Sequence, residues 1–294
     1  MRHLLATVLV SLLLASCVAD PVESTTTETA LTTTTTQARE TTTTPGETTT
    51  TSLPPGEEFP VYFFFDGFPV EPGPYLAPVA RSGAGEIGDA LTALLSGVTG
   101  SESEMGLSSA IPEGTTLLGV GVANGIASID LSGEFESGGG SLSVLGRVAQ
   151  VVYTATWFED INAVEFLIEG VPVDVLTGEG LIVDRPQTRS DYLDLLPAIF
   201  IDEPSWGSGV VSNMTVSGLA TTESGVVHYV VVDADGLIVA EGDITTIVGD
   251  RSEFTTTVDL GSVVNPGPGS IIVFESDPDG TQLHVLEYPL TISQ

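Results

Sequence analysis

GTTLLGVGVANGIASIDLSGEF, residues 114–135, is the stretch that decides the fold of the first half of this chain. Two alternating apolar runs flank Asn124-Gly125. A two-residue type I′ turn needs positive φ at both central positions, and Asn-Gly meets that need best. The stretch therefore reads as a β-hairpin. Downstream, SLSVLGRVAQVVYTATWF (141–158) sets Leu142, Leu145, Ala149, Val152 and Thr156 at helical spacing, so a helix follows the hairpin. AVEFLIEGVPVDVL (163–176) then reads as a second hairpin turning at Glu169-Gly170. Upstream, FPVYFFFDG (59–67) is rich in β-formers, and EIGDALTALLSG (86–97) places Ile87, Ala90, Leu91 and Leu94 on one helical face closed by Gly97. The order is β-α-β-β-α-β-β, an α+β domain with two helices expected on one face of a sheet.

The pattern changes after GEGLIVDRPQTRSDYLDLLP (178–197). Helical periodicity stops, and seven β-runs follow at close spacing: AIFI, NMTVSG, VVHYVVV, DADGLIVAEGDI, EFTTTVDL, SIIVFES and LHVLEYPLTI. That is the signature of an all-β immunoglobulin-like sandwich, held without any cysteine pair. The expected organisation is 1–16 signal peptide, 17–58 tether, 59–192 α+β domain and 193–294 sandwich.

Several motifs fall in the order of a known family. VYFFFDG, SSAIPEGTTLLGV, NGIASIDLSGEF, RVAQVVYTATWF and FLIEGVPV resemble the GerMN domain of sporulation and spore-germination lipoproteins. PAIFIDEPSWGSGVVSNMTVSGLA and the closing LHVLEYPLTI are similar to the Ig-like domain of bacterial spore germination proteins. The resemblance implies an α+β domain related to ring-building modules of sporulation secretion channels, and with it self-association. It implies no catalytic residues.

The amino-terminal residues speak about location. Arg2 and His3 precede an apolar run, Leu4 to Leu14, too short to span a bilayer, which takes about 20 residues. Leu14-Ala15-Ser16-Cys17 looks like a bacterial lipobox, with the chain's one cysteine as the lipidated residue. A lone thiol has no disulfide partner, and a thioether to lipid accounts for it. Residues 18–58 are Thr-, Pro- and Glu-rich, too poor in large apolar residues to bury a core. As a flexible coil they would span roughly 35–40 Å. Cys17 is thus read as an anchor to the extracytoplasmic face of the cell membrane, and the tract as a spacer.

Charge excludes one class of partner. Seven basic residues, all Arg, stand against 40 acids, for a net charge of −33. Removing residues 1–16 deletes Arg2 and no acid, giving −34. Such a surface repels nucleic acid, whose binding rests on neutralising phosphates. It equally repels anionic lipid head groups.

Candidate chemistry is thin. Beyond the signal, His228 and His284 both fall in β-runs, too few for a catalytic triad or a zinc site. Asp233-Ala-Asp235-Gly236 and Asp277-Pro-Asp279-Gly280 cluster carboxylates as calcium prefers, but lack the later ligands of an EF-hand loop and read first as tight turns. GEFESGGGSLS (133–143) has no Lys and no phosphate-loop spacing, and reads as a flexible lead-in to a helix. Trp157 closes a helix and should be half buried, whereas Trp206, in the Pro/Gly loop EPSWGSG, is the better candidate for contact with a partner, with packing into the core as the alternative reading. No cofactor is expected. The reading is a non-enzymatic envelope scaffold whose partner is an envelope protein or itself. The alternatives are a wall- or polysaccharide-binding lipoprotein and, last, a hydrolase using a carboxylate pair.

Overall fold

The computed structural model describes residues 56–67, 73–176, 178, 180–261 and 265–293. The expected signal peptide, Cys17 and nearly all of the expected tether lie outside the described residues. Within 52–294 the chain forms one compact unit.

The first sheet is built on FPVYFFF. Strand β1 (Glu57–Phe65) pairs antiparallel with β2 (Tyr75–Gly83), and the two-residue β3 (Leu107–Ser108) joins its other edge after α1 (Ile87–Leu95) and the short α2 (Gly100–Glu104). Strand β1 thus begins two residues inside the expected tether. Strand β2 has no counterpart among the expected elements, since its Pro- and Gly-containing stretch reads as a loop. Its Pro78 is tolerated because β2 is an edge strand, where a missing N–H removes no ladder bond on the open side.

The second sheet has the order β4-β5-β6-β7, from β4 (Leu117–Ala123), β5 (Ile126–Leu131), β6 (Ala163–Ile168) and β7 (Val171–Pro172). The β4–β5 turn has φ 54° at Asn124 and 79° at Gly125, and the β6–β7 turn has 51° at Glu169 and 80° at Gly170, as the hairpin readings require. β5 and β6 run parallel, a pairing that needs a crossover, and α3 (Ser141–Ala155) supplies it. The strands therefore form two sheets where the sequence reading placed one.

Helix α3 departs from its predicted stripe. Residues 146–155 are all buried, while Leu142 in the first turn is 65% exposed. The buried polar side chains explain why the helix is buried all round. Gln150 donates to the Tyr62 carbonyl (2.9 Å) and accepts from the Ala110 N–H (2.7 Å), and the Thr154 hydroxyl accepts from the Tyr62 N–H (3.1 Å). β3 pairs only with Phe64 and Phe65, so these helix side chains satisfy the backbone of β1 where its ladder stops.

A short ribbon, β8 (Val175–Leu176) with β9 (Leu181–Ile182), and a 3₁₀ turn (Arg189–Leu195) lead into the sandwich. One sheet holds β10 (Ile199–Glu203), β12 (Asn213–Ala220) and β15 (Ser252–Asp259) in the order β10-β12-β15. The other runs β11-β17-β16-β13-β14, from β11 (Gly209–Val210), β13 (Val226–Val232), β14 (Ile238–Thr245), β16 (Gly267–Ser276) and β17 (Gln282–Ile292). The fold is α+β followed by an immunoglobulin-like sandwich. A single buried cluster runs through both, from Phe59 and Leu94 to Phe200, Trp206 and Tyr288. Among the described residues no helix is long and apolar enough to cross a membrane.

Candidate functional site

The residues most concentrated in chemistry meet where the two domains join. Trp206, read as a possible partner contact or a core residue, is only 8% exposed. Its ring lies 4.8 Å from Phe65 of β1 and 5.8 Å from Tyr288 of β17, centroid to centroid. The Trp206 backbone N–H donates to the Pro78 carbonyl (2.8 Å) and its carbonyl accepts from the Ala80 N–H (2.9 Å). The loop that made Trp206 look exposed thus extends the first sheet past β2, and the indole fills the gap between the two cores. That corrects its reading as a partner contact: the ring is already packed within the chain.

Behind it sits a clamp that sequence reasoning missed. Arg189 donates to Asp202 Oδ2 (2.7 Å), the Tyr62 hydroxyl (3.0 Å), the Tyr153 carbonyl (3.0 Å) and Thr156 Oγ1 (2.9 Å). Its guanidinium also lies over the rings of Tyr62 and Tyr153, at 5.2 and 4.8 Å. The Tyr62 hydroxyl donates to the other oxygen of Asp202. Burial works against the Arg189 charge, but Tyr62, Asp202 and Tyr153 together raise its pKa, so it stays protonated. Burial pushes the Tyr62 phenol well above its usual range, and the Tyr153 phenol likewise. This is a planar fork used at several acceptors at once, which Lys cannot reproduce. Replacing Arg189 with Ala leaves Asp202 and three backbone or hydroxyl acceptors short of donors. The expected loss is about 2–3 kcal/mol in urea unfolding at pH 7, with Arg189→Lys recovering little of it.

The signal that could have found Arg189 is scarcity. Each of the described arginines has an internal partner: Arg81 with Glu102, Arg185 with Asp191, Arg189 with Asp202, and Arg251 with the Pro197 carbonyl. Arg147 is buried and donates to the carbonyls of Phe135, Ser137 and Gly138. The Gly-rich loop before α3 is therefore fastened, and it turns carbonyls toward a cation where a phosphate loop would turn N–H groups toward an anion.

At the mouth of the junction is a cleft of about 250 Å³, lined by Glu58, Trp157, Glu203, Ser205, Ser208 and Asn213 among others. Trp157 is partly exposed, as expected, with Phe158 edge-on to it at 5.2 Å. The cleft joins an aromatic face to several hydrogen-bonding groups, an arrangement suited to a polar, ring-shaped ligand. Glu58 is exposed and accepts from the Gly209 N–H (3.4 Å). Glu203 has its pKa raised, by burial first and by the neighbouring Asp202 second. For an acid the sign is clear: the ionised form is disfavoured in the fold, so stability falls as pH rises from the ordinary carboxyl value through the raised one. Glu203→Gln should lift the melting temperature at pH 7 by about 1–2 °C and leave it unchanged or lower at pH 4, read by thermal scans at both.

The remaining candidates are dispersed. Asp233 Oδ1 accepts from the N–H groups of Asp235 and Leu237 (3.0 Å each), and Asn265 donates to Asp233 and Asp235 (3.4 and 2.8 Å). Asp277 Oδ1 accepts from the N–H groups of Asp279 and Thr281 (3.0 Å each), and Asp279 accepts from the Thr281 hydroxyl (2.6 Å). Both segments are turns that use their carboxylates on their own backbone. Among the described residues no group of three or more His, Cys, Asp or Glu is placed to hold a metal ion. His228, on β13, meets Asp243 (2.7 Å) and the ring of Phe274, and His284 sits at φ 54° on β17.

Two family models match. Residues 60–174 fit the one described as sporulation and spore germination (Germane), and residues 198–282 fit the immunoglobulin-like domain of bacterial spore germination (Gmad2). Among solved structures, the first GerMN domain of the sporulation protein GerM from Bacillus subtilis is 20% identical, with 46% of this chain and 99% of that one covered and a TM-score of 0.38. The tandem GerMN domains of the same protein are 17% identical, with 69% of this chain and 61% of that one covered and a TM-score of 0.40. No curated protein matches the chain.

Proposed function

We propose that this chain, which joins a GerMN-type sporulation and germination domain to the immunoglobulin-like domain of bacterial spore germination, is a non-catalytic interaction and assembly module of the cell envelope. Both domains are of kinds associated with sporulation and germination. The observation that carries the reading is the junction. Trp206 and the Arg189 clamp join the two cores into one body, so the domains present their surfaces in a fixed relation. A fixed two-domain body suits holding partners in register, because little ordering entropy remains to oppose binding. Cys17 and the Thr-rich tract would hold that body to the membrane and away from it, and its acidity keeps it off anionic lipid.

The test is capture by the full chain from detergent-solubilised envelope, in low salt and in excess salt, with retained proteins identified by mass spectrometry. A defined envelope protein, or this chain itself, held in both conditions supports the reading. Retention of nothing that survives salt would sink it.

The cleft favours a second reading, a wall- or polysaccharide-binding module, because Trp157 offers a stacking face beside Glu203 and Asn213. Retention of wall glycan alone in the same capture would replace the first reading with this one.

A further inference from the structure

Strand β4 is an edge without the usual protection. Sheet edges present unmatched N–H and C=O groups, and proteins guard them with charge, shortness or a covering segment. The other edges here are guarded. β2 is met by the backbone of Trp206. β14 carries Glu241 and Asp243, β15 carries Glu253 and Asp259, and β10 carries Asp202 and Glu203. β3, β7 and β11 are two residues long. β4 is seven residues, LLGVGVA, and among the described residues nothing pairs with its outer side. Leu118, Val120 and Val122 are 52, 36 and 47% exposed. Residues 114–129 contain no ionisable side chain, in a chain with 40 acids among 294 residues.

The register sharpens this. Val120 pairs with Ile129 and Val122 with Ala127, both buried, so the two valines stand on the core side of the sheet yet reach past its cover. Gly119 and Gly121 stand on the opposite side, where an added Cβ would meet nothing within 4 Å. The edge is flat on one side and apolar on the other.

We infer that β4 pairs with β4 of a second copy of this chain, in antiparallel register about a two-fold axis. Charge selects the occupant. A basic partner finds no acid on this strand to pair with. Any other long open edge of a second copy would bring carboxylates to the contact, whereas β4 against β4 brings none. A two-fold axis uses the same strand twice and closes the assembly. The product is a continuous eight-stranded sheet from two of four, within the usual range. Each protomer is strongly acidic, so the pairing strengthens as salt screens their mutual repulsion, opposite to the response of a basic partner. The inference deepens the assembly reading and rests on it only for its biological use. Envelope capture and strand pairing can fail separately.

The test is analytical ultracentrifugation of the full chain carrying Cys17→Ser, so that neither lipid nor disulfide joins copies. A concentration-dependent dimer that tightens with salt is expected. Val120→Asp should weaken it about 100-fold by setting like charges together, with an unchanged melting temperature. Should that variant melt early, Gly121→Asp tests the same edge from its open face. A dimer indifferent to both variants would remove β4 from the interface. A wild-type monomer at every concentration and salt would overturn the pairing, including the case in which another segment of this chain or another protein takes the edge.

Discussion

Replacing Trp206 with alanine is expected to cost about 3–5 kcal/mol, a large part of the 5–15 kcal/mol that folded domains have to lose. The reason lies in where the ring sits. Burying an aromatic side chain removes about 150–250 Å² from water, worth roughly 4–6 kcal/mol at about 25 cal/mol per Å². Trp206 places that area between Phe65 and Tyr288, one from each domain. Its backbone bonds to Pro78 and Ala80 survive the substitution, so the loop stays attached to β2 while the space beside it empties. Chemical denaturation followed by tyrosine absorbance and by backbone dichroism would measure the effect. Both probes should shift together, because a single cluster spans the junction. A loss below about 1 kcal/mol would mean that the domains stand independently, and the argument for a rigid body would fall with it.

Much of this architecture was legible because its signals are local. Asn124-Gly125 and Gly170 fix turns by their own φ preferences, and α1 shows its apolar spacing within nine residues. What stayed hidden depends on neighbours distant in sequence. β2 reads as a loop because Pro78 forbids an interior strand, and only its place at the sheet edge permits one. The stripe on α3 is too narrow because Gln150 and Thr154 look like a polar face, whereas they bond the backbone of Tyr62, about ninety residues earlier. Trp206 reads from its Pro/Gly neighbours as a loop residue, and Arg189, one of only seven basic residues, carries no motif around it. Both owe their roles to contacts with β1, which nothing in their own segments announces. The candidate site was therefore the least legible part: it is made at a junction, and a junction leaves no periodicity.

Substituting Cys17 with serine is expected to move the protein from the membrane fraction almost completely into the soluble one. In the proposed function, a diacylglyceryl thioether on Cys17 is the main attachment. Each buried CH₂ contributes about 0.8 kcal/mol, so one long chain holds weakly while two or more hold durably. Neither the apolar start nor the folded part offers a substitute. The apolar run Leu4 to Leu14 is too short to remain as a span, and the folded part carries a charge that anionic head groups repel. Removing the thiol should therefore leave no second anchor to slow release. Fractionation with radiolabelled palmitate gives both readouts, since the label should vanish from the variant as the protein leaves the pellet. The stability of the folded body should not change, because attachment and fold are joined only through the tether. Loss of label with the protein still in the pellet would point to a second membrane contact, and the stand-off role of the acidic surface would have to be abandoned. Retention of label in Cys17→Ser would show that the lipid sits elsewhere, because Cys17 is the chain's one thiol.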